Sequence, residues 1–287
     1  MQIQRSFKEV TTSGTLYLVP TPIGNLQDMT YRAVDTLKNV AFICAEDTRN
    51  TGLLLKHFEV STKQIAFHEH NAFEKIPVLL DLLLSGSDLA QVSDAGMPSI
   101  SDPGHDLVKA AIEHNIKVVA LPGASAGITG LIASGIAPQP HIFYGFLPRK
   151  SGQQKVFFKE KLDYTETQIF YESPFRVLDT LENMHSVYGD RQVVLVRELT
   201  KVYEEYQRGT ISELVSYIEE NPLKGECLLI VSGNSQVQED IAIDDIDIVS
   251  LIQAKIAQGK KTNHAIKEIA KEYNLNRQDV YNAFHKI

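Results

Sequence analysis

Short apolar runs alternate with longer amphipathic ones through the first half of the chain. Residues 15–19, 41–45, 64–67, 88–92 and 117–121 are brief and mostly aliphatic, which predicts buried strands. Between and after them, residues 28–40, 50–58, 76–85, 104–114 and 125–134 predict helices. In the first of these, Ala33, Val34, Leu37 and Val40 fall on one stripe. This strand–helix rhythm implies a parallel sheet covered on both faces. Residues 135–140 hold two prolines, break the rhythm and predict a linker.

A second α/β set follows. Residues 141–144, 167–171, 192–196 and 226–231 predict strands, and 151–162, 174–188 and 211–220 predict helices. Pro174 suits a first helical turn, where its missing N–H does no harm. After Gly233 the chain turns polar and acidic, then predicts three helices at 246–257, 263–273 and 276–284. Ala265, Ile266, Ile269, Ala270, Leu275, Val280, Tyr281 and Phe284 give these helices either a helix-turn-helix or a plain three-helix packing unit. The expected organisation is an α/β domain over 1–138, a second over 139–235 and a helical domain over 236–287.

Composition narrows the function classes. The 287 residues are 43% hydrophobic, enough for two domains with their own cores. A net charge of −8 argues against a purely electrostatic nucleic-acid binder. Cys44 and Cys227 each lie in an apolar run, so buried free thiols are expected and a disulfide scaffold is not. No Cys/His cluster has zinc spacing, and no metal is expected. There is no signal-peptide core and no apolar run of membrane length, so a cytoplasmic enzyme with no membrane partner is expected.

The candidate chemistry sits in loops directly after strands. PTPIGN (20–25), SDAGMPSISDPG (93–104) and PGASAG (122–127) each follow an apolar run. Open α/β sheets place their ligands at the carboxyl ends of strands. The small residues let backbone approach a ligand closely, which suggests a pocket for a flat, polar, nucleoside-like molecule. Neither GxGxxG nor a Walker A sequence is present, so a dinucleotide fold and a nucleotide triphosphatase are disfavoured. Two polar clusters, Glu46, Asp47 and Arg49, and His68 to Asn71, follow the second and third strands.

Nine motifs in register carry a resemblance. They are PTPIGN, AEDTR (45–49), HEHN (68–71), SDAGMPSISDPG, PGASA, FYGFLPR (143–149), YESPFR (171–176), RELTK (197–201) and GECLLIVSG (225–233). Together they resemble the ribosomal RNA small subunit methyltransferase I family, of the tetrapyrrole-methylase class of S-adenosylmethionine enzymes. The likeness spans about 14–233, and the tail is similar to that family's helix-turn-helix extension. Tetrapyrrole methylases and diphthine synthases carry a glycine-rich first loop and a Gly-Asp-Pro type second loop. PTPIGN and SDAGMP depart from these and fit the RNA-modifying branch.

The resemblance implies two α/β domains of tetrapyrrole-methylase type, with S-adenosyl-L-methionine in the cleft between them. It implies methyl transfer to the ribose 2′-OH of a cytidine in the decoding region of 16S rRNA, as free RNA or assembled small subunit, by a homodimer. The cofactor residues it implies are Pro22, Asp94, Ala95, Gly96, Pro98, Ile100 and Ser101, then Ser125 and Ala126. From the second domain come Tyr171, Glu172, Ser173, Pro174, Cys227 and Leu228. Turn stiffening for Pro22, helix capping for Ser125 and strand core for Cys227 explain those residues equally simply. Asp47, Arg49 and His68 are expected near the substrate sugar and phosphate, with Glu172 and Glu198 as rival bases. Arg149, Lys150, Lys155, Arg176, Lys260, Lys261 and Arg277 are the expected RNA contacts. Phe143, Tyr144 and Phe146 serve either the strand core or base stacking. Two other readings stay open: the same cofactor with a tetrapyrrole or protein acceptor, and a non-catalytic nucleic-acid binder working through the tail.

Overall fold

The computed structural model describes residues 1–5, 12–100, 102–234, 247–273 and 277–285. They divide into two units, Met1–Gly233 and Asn234–Ile287. In the first, β1 (Thr15–Leu18), β2 (Phe42–Ala45), β3 (Lys63–Ala66), β4 (Leu89–Val92) and β5 (Lys117–Ala120) form one sheet, ordered β3-β2-β4-β1-β5. Every pairing in it is parallel, as the rhythm predicted, with Leu16 beside both Leu89 and Val118. All strands therefore end on one edge, and the loops after β1, β2, β4 and β5 emerge side by side.

The alternation of side chains along each strand builds two apolar layers. Leu16, Cys44 and Leu89 pack with Leu79 and Leu83 of α3 (Ala72–Leu84) and Leu107 of α4 (Gly104–Glu113). On the other face Ile43, Ala45, Ala90 and Val92 meet Ala33 and Leu37 of α1 (Tyr31–Asn39) and Leu55 of α2 (Thr48–His57). Helix α1 starts later than the apolar stripe suggested. Thr30 caps it by accepting the Ala33 N–H, and residues Leu26–Asp28 form a separate 3-10 turn. Helix α3 starts earlier, at Ala72, and runs through Pro77 because Ala72, Leu79, Leu80 and Leu83 bury one face.

The second sheet joins β6 (His141–Phe146), β7 (Thr167–Glu172), β8 (Gln192–Arg197), β9 (Glu205–Thr210) and β10 (Cys227–Val231) in the order β6-β7-β10-β8-β9. Only β6 and β7 pair in parallel; β10 runs antiparallel to both its neighbours, and β9 to β8. Strand β9 is absent from the apolar pattern because it is an edge strand of sequence EYQRGT, half-exposed and polar. Helices α6 (Ser151–Glu160), α7 (Val177–Tyr188) and α8 (Ile211–Glu220) cover one face around Phe158, Phe170, Leu181, Leu195, Ile218 and Leu229. Pro174 does not enter α7; it lies in the turn before Val177.

The opposite face of this second sheet is covered by α5 (Ala126–Ser134), a helix the rhythm assigned to the first half. Its Leu131 packs with Ile169, Val194, Leu228 and Ile230. Gly130 permits that approach, since a Cβ there would lie 2.4 Å from Leu228 Cδ2. The Arg208 guanidinium of β9 donates to the Ser134 and Ala133 carbonyls at 3.0 and 2.8 Å, binding the far end of the helix.

In the second unit, α9 (Ile248–Ala257), α10 (Thr262–Glu272) and α11 (Arg277–His285) share a core of Ile248, Ile252, Ala265, Ile266, Ile269 and Val280. Leu275 lies outside the described residues. Among the described residues no helix is long and apolar enough to cross a membrane.

Candidate active site

A cavity of about 630 Å³ opens within the first unit, where the loop edge of the parallel sheet faces the ends of β7 and β8. The loop after β4 forms much of its wall. Thr21, after β1, and Gly96 exchange both backbone hydrogen bonds at 3.0 Å, so two of the small-residue loops are cross-tied. Thr21 Oγ1 donates to the Ser93 carbonyl at 3.1 Å, and Ser93 Oγ to Ala95 O at 3.1 Å. Gly96 has φ +76°, and a Cβ there would meet Ile23 Cγ2 at 3.1 Å, so both conformation and space favour glycine. Asp102 pins the far end of the loop, accepting the Ser99 and Gly104 N–H groups at 2.9 and 2.8 Å and Gln91 Nε2 at 2.8 Å.

From β5 the chain turns through Pro122–Ser125 into α5. Ser125 is the N-cap by its backbone, but its hydroxyl makes no capping bond, and it lines the cavity with Ala126. The second sheet supplies the facing wall through register. Because β10 is antiparallel, its first residue, Cys227, sits opposite both Glu172 at the end of β7 and Arg197 at the end of β8. Residues Tyr171 to Pro174, Val196 and Gly225 to Leu228 thereby converge.

Glu172 is only 3% exposed and fully engaged. Its Oε1 accepts the Ser173 N–H at 2.8 Å and its Oε2 the Thr180 hydroxyl at 2.9 Å, with Arg176 Nη1 at 3.3 Å. Burial pushes the Cys227 thiol up to about 11, so it stays protonated at neutral pH. Burial also raises the Tyr171 hydroxyl, partly offset by a hydrogen bond from the Gly127 backbone. Glu46, Asp94, Asp102, Glu172 and Glu226 oppose the single guanidinium of Arg176 on the wall, which favours a ligand carrying positive charge. Glu46 has a raised pKa, chiefly from burial and then from Asp94 and Asp102.

Of the expected cofactor residues, Asp94, Ala95, Gly96, Ile100, Ser125 and Ala126 line the cavity from one side. Tyr171, Glu172, Ser173, Pro174, Cys227 and Leu228 line it from the other. Pro22 lies instead in an adjoining pocket of about 250 Å³ with Asn50 and Leu53, joined to the first through Ser93 and Asp94. Pro98 is buried off the wall, and Ser101 lies outside the described residues. Sequence reasoning did not single out Ile23, Asp102, Val196, Leu199, Gly225 or Glu226 for the site, and it named Glu46 only as part of the polar cluster after β2. Glu46 carried a legible signal, sitting just past the end of β2, while Asp102 lies at the far end of the small-residue loop, just before α4. Gly225 and Glu226 reach the cavity through the antiparallel register of β10, which no local pattern encodes.

Asp47, Arg49 and His68 are near this wall but not on it. Asp47 caps α2 by accepting the Arg49 N–H at 2.8 Å, and pairs with Arg49 Nη2 at 2.7 Å. That hydrogen bonding holds its carboxyl down at about 2. The Arg49 side chain is 89% exposed. His68 Nε2 lies 3.2 Å from Asn71 Nδ2, and its buried Nδ1 has no partner among the described residues. Glu198 is also off the wall; its carboxyl is lowered by the Glu226 backbone N–H and by Lys201.

Among the expected RNA contacts, Arg149 and Lys150 are exposed between β6 and α6, and Lys155 is exposed on α6. Arg176 belongs to the cavity wall and donates to Pro148 O at 2.8 Å. In the second unit Lys261 and Arg277 are exposed, whereas Lys260 is paired with Glu268 at 2.7 Å.

Residues 15–215 match the family model of Tetrapyrrole (Corrin/Porphyrin) Methylases. The chain is 72% identical, over all of both chains, to Ribosomal RNA small subunit methyltransferase I of Streptococcus pyogenes serotype M1. It is 45% identical to the proteins of that name from Halalkalibacterium halodurans, over all of both chains, and Bacillus subtilis, over 98% of each. Among solved structures, a cobalt precorrin-4 methyltransferase matches with a TM-score of 0.56 at 16% identity, covering 76% of this chain and 94% of that one. A uroporphyrin-III-C-methyltransferase from Thermus thermophilus matches with a TM-score of 0.52 at 17% identity and the same coverage of 76% and 94%. These two likenesses show a shared fold.

Proposed function

The chain belongs to the ribosomal RNA small subunit methyltransferase I family, within the tetrapyrrole methylases, and on that premise we propose that it transfers a methyl group from S-adenosylmethionine to the ribose 2′-OH of a cytidine in the decoding region of 16S rRNA. The observation that carries this reading is the 72% full-length identity to a protein named for small-subunit ribosomal RNA. The residues of the cavity suit the donor. The start of α5, with Ser125 and Ala126, offers N–H groups and a hydroxyl to its carboxylate. Val196, Leu199 and Leu228 give an apolar wall for the purine, and the carboxylates suit the positive sulfur. When bound, S-adenosylmethionine supplies an electrophilic methyl carbon on a cationic sulfur.

The protein then has to hold donor and acceptor in line. Fixing that alignment is worth about 7–11 kcal/mol of the barrier. The cross-tied loops at Thr21 and Gly96 and the pinned loop at Asp102 are the means of fixing it. On the acceptor side, Arg49 carries an exposed guanidinium suited to a phosphate, with Asp47 orienting it and His68 nearby. Arg149, Lys150, Lys155, Lys261 and Arg277 supply further phosphate contacts, and a paired target nucleotide has to be extruded to reach the cavity. Exposed Ile132, Phe175, Val202 and Tyr203 suit a homodimer. The proposed setting is the cytoplasm, on free rRNA or the assembled small subunit.

Nucleoside mass mapping of small-subunit rRNA, from cells with and without this gene, tests the reading. Loss of one 2′-O-methylcytidine in the deletion is expected. Identical maps would overturn it. Offering labelled donor to rRNA, a porphyrinogen and a protein extract separates an RNA acceptor from the other two.

A further inference from the structure

Five carboxylates line the cavity, and four are already committed. Asp94 accepts the Asp47 N–H at 3.1 Å and faces Asn50 Nδ2 at 3.4 Å. Asp102 holds its own loop through Ser99, Gly104 and Gln91. Glu172 is tied to Ser173, Thr180 and Arg176. Glu226 takes Lys201 Nζ at 3.0 Å. The fifth, Glu46, accepts no hydrogen bond from any described residue. It stands half-buried, directly after β2, on the loop edge of the parallel sheet.

We infer that Glu46 is the catalytic base of this site, its free carboxylate receiving the proton of the acceptor hydroxyl as that oxygen takes the methyl group. The inference rests on the methyl-transfer reading above. The step balances. The acceptor O–H bond breaks and its proton passes to a Glu46 carboxylate oxygen. The oxygen electron pair forms the new O–C bond while the donor C–S pair leaves with sulfur, now a neutral thioether. Cationic sulfonium and anionic carboxylate both end neutral.

The surroundings of Glu46 favour this role. Asp94 and Asp102 face it from the loop after β4 and Asp47 from its own loop, all like charges, while His68 from the loop after β3 opposes them. Burial and the like charges give the carboxylate more affinity for a proton than an ordinary glutamate has. Asp47 is the poorer base by this measure, since Arg49 holds it at about 2. The other four carboxylates already serve a hydrogen bond or ion pair that protonation would weaken, whereas Glu46 has none among the described residues to lose.

The test compares Glu46→Gln and Glu46→Asp with the parent protein in three measurements. These are single-turnover methyl transfer to small-subunit RNA across pH, S-adenosylhomocysteine affinity by calorimetry, and carboxyl NMR titration of the ligand-free protein. Glu46→Gln is expected to lower the single-turnover rate by about 10²–10⁴-fold while leaving S-adenosylhomocysteine affinity within about twofold. Glu46→Asp is expected to keep part of the rate. One carboxyl resonance, absent from Glu46→Gln, is expected to titrate above the ordinary glutamate range and to share its midpoint with the acid limb of the parent rate. A Glu46→Gln rate within about threefold of the parent would overturn the inference. So would a loss of S-adenosylhomocysteine affinity in step with the rate, which would make Glu46 a donor-binding group. Mapping the methylated atom keeps the two readings apart. Methyl found on a ring nitrogen ends the 2′-oxygen proposal and this step with it, whereas a 2′-O-methyl product made by Glu46→Gln at the parent rate ends the inference alone.

Discussion

Gly96 shows how much of this site depends on single positions. Its positive φ and its two bonds to Thr21 fix the middle of the β4 loop. Gly96→Ala is expected to cost about 1–2 kcal/mol of stability, from left-handed strain and the contact with Ile23. It is also expected to weaken donor affinity about tenfold, read by thermal melts and calorimetry. Asp47 makes a separate, pH-dependent prediction. Its carboxyl is held at about 2, below the ordinary 3.8 of an aspartate, so ionisation favours the folded state. That contribution is full above 3.8 and fades as pH falls through about 2. Asp47→Ala should therefore lower the melting temperature at about pH 5, with the gap to the parent closing as pH falls through and below about 2. Loop residues after strand ends were legible as a ligand wall because small residues at the carboxyl edge of a parallel sheet let backbone approach a ligand. Individual roles were not legible, because the Asp47–Arg49 pair and the bracing of Glu172 depend on atoms brought together only by folding.

Pro77 marks the limit of local propensity at the level of elements. Residue by residue, a proline five places after Ala72 argues for a helix that begins later. The buried face of Ala72, Leu79, Leu80 and Leu83 overrides it. Pro77→Ala restores an N–H toward the Phe73 carbonyl and is expected to raise stability by about 1–2 kcal/mol, after allowing for the looser unfolded chain. A shift of the urea midpoint measures it. Strand β9 failed to register for the opposite reason. Its edge position needs no apolar stripe, and the Arg197–Glu205 pair at 2.6 Å supplies part of its attachment. The parallel sheet was readable because buried strands between helices leave a strong period. The antiparallel order of the second sheet was not, since pairing partners far apart in sequence leave no local trace.

For the whole molecule, the division at Gly233 puts the candidate cleft in one unit and the tail helices in the other. Removing residues 235–287 is expected to leave S-adenosylmethionine affinity unchanged and to weaken rRNA affinity, because Lys261 and Arg277 go with it. Filter binding at two salt concentrations, beside calorimetry, checks both halves. Unchanged RNA affinity would make the tail a packing unit alone. The placement of α5 reaches further. It leaves the parallel sheet through Pro122–Ser125, yet its Leu131 and Gly130 are embedded in the other layer and Arg208 fastens its end. The two halves of the cleft are thus stitched by a needle whose thread is itself part of the binding wall. A ligand seated on that wall is expected to slow amide exchange in both sheets together, and slowing in one sheet alone would count against the coupling.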